Sequence, residues 1–190
     1  PQSYLLSAEE LAAMEGYDRF AITNSGVSPR AVPGVSEKLV LVDSDEHDSY
    51  GRITEDLQIR TEMTEKRLRK EHGLRQDVGP PTQYPEGSLK GRTVFLGWGS
   101  TYGAIREAVD ELNAKGGHYG LLHFSELWPL RTEELEQLFR EAGRVIAVEG
   151  NATGQLAQLV AQQTGHQVER RIGRYDGRPL TAGRITGEVE

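Results

Sequence analysis

The sequence predicts an α/β fold, three layers built on a mostly parallel sheet of about five strands, with an extended arm and a long helix ahead of it. Three observations predict it. The run Arg92-Thr-Val-Phe-Leu-Gly-Trp-Gly-Ser-Thr-Tyr-Gly-Ala-Ile105 is apolar from Val94 to Leu96, breaks at Gly97, Gly99 and Gly103, and then turns helical. Ile105, Ala108, Val109 and Leu112 stand at i, i+3, i+4 and i+7, one buried face of a helix, and Gly116-Gly117 closes it. The same strand-turn-helix unit then repeats down the chain, an order that favours a parallel sheet covered on both faces.

The repeats follow in turn. Residues 118 to 124 hold a second apolar run. Leu135, Leu138, Phe139 and Ala142 repeat the helical spacing, with Thr132 placed as N-cap and Gly143 as stop. Val145 to Val148 is a third strand ending in Glu149-Gly-Asn151, and Leu156, Leu159 and Val160 line a helix closed by Gly165. Val168 to Ile172 is more polar and is placed at the sheet edge.

Upstream, Ser7-Ala-Glu-Glu10 has the form of a capping box, and a short helix is expected to run to Gly16. Residues 17 to 34 hold two prolines and two glycines in their second half and read as a fixed, extended loop. Lys38-Leu-Val-Leu-Val42 is expected to be one buried strand. Thr54 is placed as the N-cap of a charged helix through Met63 to about Glu71, whose only stripe is Leu57, Thr61, Thr64 and Leu68. That stripe is too narrow to hold the helix alone, so it is expected to lie against another subunit or a missing domain. Gly79-Pro-Pro-Thr-Gln-Tyr-Pro-Glu-Gly87 reads as a linker, giving an arm over 1–78, a linker over 79–87 and an α/β domain over 88–190.

Composition narrows the function. A net charge of −7 gives no overall footprint for nucleic acid, and no apolar run is long enough to span a membrane. The chain has no cysteine, so a thiolate nucleophile and a thiolate-held iron–sulfur cluster are excluded from it. The cytoplasm is the expected compartment. A chain that starts at Pro1 with no signal-peptide pattern is expected to be processed or excised from something longer.

The glycines of Gly97-Trp-Gly-Ser-Thr-Tyr-Gly103 stand where a phosphate would bind, with Glu126 the nearest candidate for a ribose, or they only permit tight strand-to-helix packing. Gly99, Ser100, Asn151 and Gln155, with Trp128-Pro-Leu130 and Thr153, fall at the carboxyl edge of the sheet, where such folds place ligands. Helix capping also accounts for Asn151, Thr153 and Gln155. Asp43-Ser-Asp-Glu-His-Asp48 packs carboxylates around an imidazole and suits a divalent ion, a polar clamp, a solvated turn or a substrate channel. No second cluster has ligand spacing, so no metal is assigned. Lys66, Arg67, Arg69 and Lys70 read as a solvated or ion-pairing face.

Gly99-Ser100, Leu127-Trp-Pro-Leu130, Val145-Ile-Ala-Val-Glu149 and Gly154 give the second half a resemblance to the C-terminal domain of transketolase-like thiamine enzymes. Gly26-Val-Ser-Pro-Arg-Ala-Val-Pro-Gly34, Asp43-Ser-Asp-Glu-His47 and Met63-Thr-Glu-Lys-Arg67 extend it. With Glu149-Gly-Asn151, Gly154-Gln155 and Tyr175-Asp-Gly-Arg-Pro179, nearly the whole chain resembles the alpha subunit of 2-oxoacid:ferredoxin oxidoreductases, the 2-oxoglutarate type above all.

That resemblance implies oxidative decarboxylation of a 2-oxoacid with coenzyme A, giving an acyl-CoA, carbon dioxide and reduced ferredoxin. It implies thiamine diphosphate, magnesium and an iron–sulfur cluster in the holoenzyme, none of them bound by this segment. It also implies a beta subunit, ferredoxin and the pyrimidine-binding domain of the alpha subunit as partners, since no Tyr-Pro-Ile-Thr-type motif is present here. Within the holoenzyme Arg30 and the turn of Asp43, Asp45, Glu46 and His47 are expected at the passage of substrate or coenzyme A, and no catalytic residue is expected in the segment. The rival expectation is a stand-alone nucleotide-binding or assembly module without activity.

Overall fold

The computed structural model describes residues 4–189, so the expectation about Pro1 lies outside the described residues. The chain divides into two compact units, Pro1–Asp77 and Val78–Glu190. The second contains strands β1 (Thr82–Tyr84), β2 (Thr93–Trp98), β3 (Tyr119–Phe124), β4 (Arg144–Glu149) and β5 (Arg170–Gly173) in the spatial order β1-β3-β2-β4-β5. All neighbours are parallel except β1, which runs antiparallel to β3 with Thr82 opposite His123. β1 lies inside the stretch read as a linker. Pro81 and Pro85 flank three residues with free amides, and a short strand at a sheet edge needs to pair on one side only.

The central strands are continuous apolar runs because helices cover both faces. Val94, Leu96, Leu122, Phe124 and Val145 pack with α4 (Thr132–Glu141) and α5 (Gln155–Thr164). Phe95, Leu121, Ile146, Val148 and Ile172 pack on the other face with α3 (Tyr102–Ala114) and α6 (Ala182–Thr186). The i, i+3, i+4, i+7 set of α3 is buried as its spacing predicts. α4 begins one residue away from expectation, with Arg131 rather than Thr132 at the N-cap, and β5 is the edge strand. The short α6 carries no sequence period long enough to be read, yet Ala182 and Ile185 are buried against the α3 face.

The first unit departs further from expectation. α1 (Ala8–Ala13) has its capping box, with Ser7 N–H donating to Glu10 Oε2 at 2.8 Å and Glu10 N–H to Ser7 Oγ at 3.2 Å. Residues 38–42 form no strand, and Leu39 and Val42 are 78% and 63% exposed. Among the described residues the unit offers only isolated bridges, Leu5 with Arg30 and His47 with Ile53, and a lone strand cannot satisfy its own backbone.

α2 (Leu57–Asp77) starts later and ends later than expected. Its cap is Asp56, whose Oδ1 accepts from the amides of Gln58 and Ile59 at 2.9 Å each, while Thr54 Oγ1 takes the Asp56 amide. The supposed stripe is exposed at Leu57 and Leu68, and the buried positions are Met63 and Lys66. Leu11, Tyr17, Ala31 and Met63 are the larger part of what this unit buries. Polar contacts from α2 to Phe20 O and Glu46 fix the shape of the loops around that small core.

Close approach sets the packing of β2 on α3. A Cβ on Gly97 would overlap Ile105 Cδ1 and lie 2.8 Å from Thr101 Oγ1. Gly97→Ala should destabilise the second unit by about 1–3 kcal/mol, the usual result of overpacking. Both tryptophans, Trp98 and Trp128, lie in that unit, so the fluorescence-monitored denaturant midpoint reads it directly. An unchanged midpoint would show that the strand can move aside freely.

Candidate functional site

α3 and α5, which follow the adjacent strands β2 and β4, pack on opposite faces of the sheet. The chain therefore leaves the two carboxyl ends in opposite directions, and a crevice opens between them, the usual ligand position of an open α/β sheet. Its volume is about 290 Å³, and Trp98, Gly99, Ser100, Thr101, Gly150, Asn151 and Gln155 line it. Gly99, Ser100, Asn151 and Gln155, picked from separate parts of the sequence, are thus brought together.

The walls are tightly bonded. Glu149, 2% exposed at the end of β4, accepts from Asn151 Nδ2 at 2.9 Å and from the amides of Leu156 and Ala157 at 2.7 and 3.1 Å. Asn151 Oδ1 accepts from the amides of Gly154 and Gln155 at 2.6 and 3.2 Å. Two side chains thus satisfy the orphan donors at the start of α5. Gly154 (φ +74°) brings the backbone against Arg171, whose Nη1 donates to Thr153 O.

On the β2 side, Thr101 Oγ1 donates to Trp98 O at 2.8 Å and accepts from Trp98 N–H at 3.1 Å. His123, buried on β3, makes a 3.0 Å hydrogen bond from Nε2 to Gly99 O and meets the Tyr102 ring edge-on. Burial holds its pKa below the ordinary imidazole value, against the opposing pull of the carbonyl bonds. The close approach at Gly97 supports tight strand-to-helix packing as the role of the glycine motif. Glu126, the ribose candidate, accepts from Gly79 N–H at 3.2 Å.

The first unit presents the other candidates. Arg30 is exposed, but its backbone is pinned: its amide donates to Tyr4 O at 2.7 Å and its carbonyl accepts from Leu6 N–H at 2.9 Å. Tyr17 Oη, which takes the Ala31 amide at 2.8 Å and donates to Pro29 O at 3.3 Å, fixes the residues on either side. Of the acidic turn, Glu46 forms two bonds with Arg67 (2.7 and 3.1 Å), which hold its pKa below the usual carboxylate range. His47 stacks on Phe20 with centroids 3.8 Å apart. Asp43 and Asp45 stay exposed, Asp43 Oδ1 accepting the Ser44 and Asp45 amides.

The basic run on α2 is the solvated or ion-pairing face expected at Arg67, which pairs with Glu46, and at exposed Arg69, but not at Lys66. Lys66 is 3% exposed and donates from Nζ to Phe20 O at 2.9 Å. Burial, then repulsion from Lys70 and other cations, lowers its pKa to about 8, so it stays charged at neutral pH. Arg69 reaches Thr23 O at 3.5 Å. Lys66, Arg67 and Arg69 thereby tie both candidate loops to one helix.

These residues do not fit the cofactors that the resemblance implies. The whole sequence lacks cysteine for a cluster, and among the described residues no group of His, Cys, Asp or Glu is placed to hold a metal ion. The α5 terminus, which could have received a pyrophosphate, already has its amides on Glu149 and Asn151.

Sheet order, two covered faces and a crevice at the carboxyl edge define the second unit as a three-layer α/β domain. Residues 92–185 match the family model of the pyruvate:ferredoxin oxidoreductase core domain II. The chain is 32% identical over 86% of its length to the alpha subunit of 2-oxoacid:ferredoxin oxidoreductase 1 of Sulfurisphaera tokodaii, covering 26% of that protein. It is 30% identical over 92% of its length to the alpha subunit of 2-oxoacid:ferredoxin oxidoreductase 2 of Aeropyrum pernix, covering 27%. Among solved structures, the 2-oxoglutarate:ferredoxin oxidoreductase of Magnetococcus marinus with 2-oxoglutarate, coenzyme A and succinyl-CoA bound matches 93% of this chain and 31% of its own. Its TM-score is 0.75 at 25% identity. The chain carries the core domain II of this family and is related to the alpha subunits of 2-oxoacid:ferredoxin oxidoreductases, of whose length it spans about a quarter.

Of Asn151, Thr153 and Gln155, the caps expected from the sequence, Asn151 is the one whose side chain takes amides at the start of α5, and Glu149 joins it unannounced. The sequence signal is a carboxylate that ends an apolar strand and is followed by Gly-Asn and, three residues on, Gly154, whose left-handed turn the structure reveals. His123, inside an apolar run, gave no sign of its bond to Gly99. Glu149→Gln turns one acceptor oxygen into a donor facing an amide and should cost about 1.5–3 kcal/mol of second-unit stability. Tryptophan-monitored unfolding measures it, and a loss below a few tenths would mean that the carboxylate is not the cap.

Proposed function

We propose that the chain is the C-terminal portion of the alpha subunit of a 2-oxoacid:ferredoxin oxidoreductase whose oxoacid is 2-oxoglutarate. The whole enzyme converts the oxoacid and coenzyme A into an acyl-CoA and carbon dioxide and passes the electrons to ferredoxin. Thiamine diphosphate, magnesium and the iron–sulfur cluster are held by the pyrimidine-binding domain and the beta subunit, and the enzyme works in the cytoplasm. The observation that carries this reading is the match to the 2-oxoglutarate enzyme over 93% of the chain, which takes in both units. No helix among the described residues is long and apolar enough to cross a membrane.

The segment itself supplies structure and subunit contact. Leu57 and Leu68 are 79% and 65% exposed on α2, in a unit with little core of its own, and they face a partner in the holoenzyme. In the complex reconstituted with its partner subunits, Leu57→Ser with Leu68→Ser should raise the dissociation constant about tenfold or more while the chain stays folded. Light scattering after size exclusion measures it. A complex as tight as the parent would remove the interface role.

Arg30, with Asp43 and Asp45 on the turn that Glu46 and His47 anchor, lines the passage of oxoacid or coenzyme A. A guanidinium on a pinned backbone suits bidentate capture of a carboxylate. In the reconstituted enzyme, 2-oxoglutarate- and coenzyme A-dependent reduction of ferredoxin tests the activity, and Arg30→Ala should raise KM for the oxoacid about tenfold or more. KM values for oxoacid and coenzyme A that do not move would withdraw Arg30. A complete complex that oxidises no 2-oxoacid would withdraw the function.

A further inference from the structure

The crevice between β2 and β4 does not end at Asn151. Past Ser100, Thr101 and Gly150 it opens into a hollow of about 520 Å³ walled by Arg174, Tyr175, Arg178 and Leu180. Tyr175 also borders a third hollow of about 390 Å³ that reaches Arg171 and Arg184. Together they form a trough along the carboxyl edge from β2 to β5, of the size small-molecule sites take.

Its polar side chains fall into two groups. Glu149, Asn151, Thr101 and Arg171 are engaged in the bonds that hold the walls. Arg174 likewise grips Asp176 with Nε and Nη2 (2.9 and 3.3 Å) and Pro179 O with Nη1 (2.8 Å). Those bonds hold the Asp176 carboxyl below its usual pKa, and its charge is matched by Arg174. Ser100, Gln155, Tyr175 and Arg178 form the second group. Among the described residues their side chains have no hydrogen-bond or ion-pair partner, although all four line the trough. Arg178 is nevertheless set in place, its amide donating to Asp176 Oδ1 at 3.1 Å after a left-handed turn at Gly177. Tyr175, 73% exposed, offers an open ring on the same loop.

The geometry points to this trough as a binding site for a nucleoside phosphate, with the phosphate on Arg178 and the Ser100 hydroxyl and the base against Tyr175. An uncompensated guanidinium favours a phosphate, and an aromatic face favours a planar ring. Gln155 supplies a carboxamide for the polar edge of the ligand. The proposal does not rest on the oxoacid reading, and the coenzyme A arm of the test separates a nucleotide site from the passage of substrate.

Calorimetric titration tests it on the full chain and on the complex with its partner subunits, with ADP, adenosine, inorganic phosphate and coenzyme A as probes. ADP should bind saturably to both, and phosphate should compete with it. Arg178→Ala should weaken ADP about ten- to a hundredfold and leave adenosine unchanged. Tyr175→Ala should weaken both, with each variant unfolding at the parent's midpoint. No heat from ADP, or unaltered ADP affinity in Arg178→Ala, overturns the proposal. Phosphate bound as tightly as ADP overturns it, because the nucleoside then contributes nothing. Coenzyme A bound where ADP is not, or ADP bound by the free chain but not by the complex, also overturns it: the trough would be substrate path or covered interface.

Discussion

A single buried carboxylate joins the sheet to the helix that walls its crevice. Glu149 ends an apolar strand and accepts from the first turn of α5, while Asn151 takes the amides just before it. A carboxyl group so deep in a protein is tolerated only when donors surround it, and here two backbone amides and the Asn151 carboxamide do so. The consequence reaches function. A helix start that would otherwise attract a ligand's phosphate is closed, so what remains open along that edge is the Ser100, Tyr175 and Arg178 side.

The first unit solves a different problem. It buries few large apolar side chains, and α2 shows leucines to the outside. Order comes instead from cations reaching back from the helix to loop carbonyls and to Glu46, with Phe20 in the middle, stacked by His47 and approached by Lys66 and Arg19. Such links fix loop shape more than they add stability, because exposed ion pairs contribute little. A unit of that kind is suited to completion by a neighbouring subunit.

The parts of the fold legible in the sequence were those governed by period. Ile105, Ala108, Val109 and Leu112 announced α3, and the apolar runs around Leu96, Leu122 and Ile146 announced a sheet covered on both faces. What failed was decided by distant partners. Residues 38–42 are apolar enough for a strand but have none to pair with among the described residues, whereas Thr82–Tyr84 sits among prolines and pairs because β3 has a free edge. Lys66 reads as part of a solvated or ion-pairing face because its sequence neighbours are charged, and only the fold buries it and brings Phe20 O to it. The gathering of Gly99, Ser100, Asn151 and Gln155 followed from topology, since the order of strands alone fixes which loops meet.

Both margins of the sheet are blunt. At one end β1 is three residues long and runs into Pro85; at the other β5 carries adjacent arginines, Arg170 in an ion pair with Glu188 at 2.7 Å. Short length, proline and charge each discourage a further strand from adding on. The sheet therefore offers little template for polymerisation, and copies brought together at high concentration meet charge and proline there rather than an open ladder.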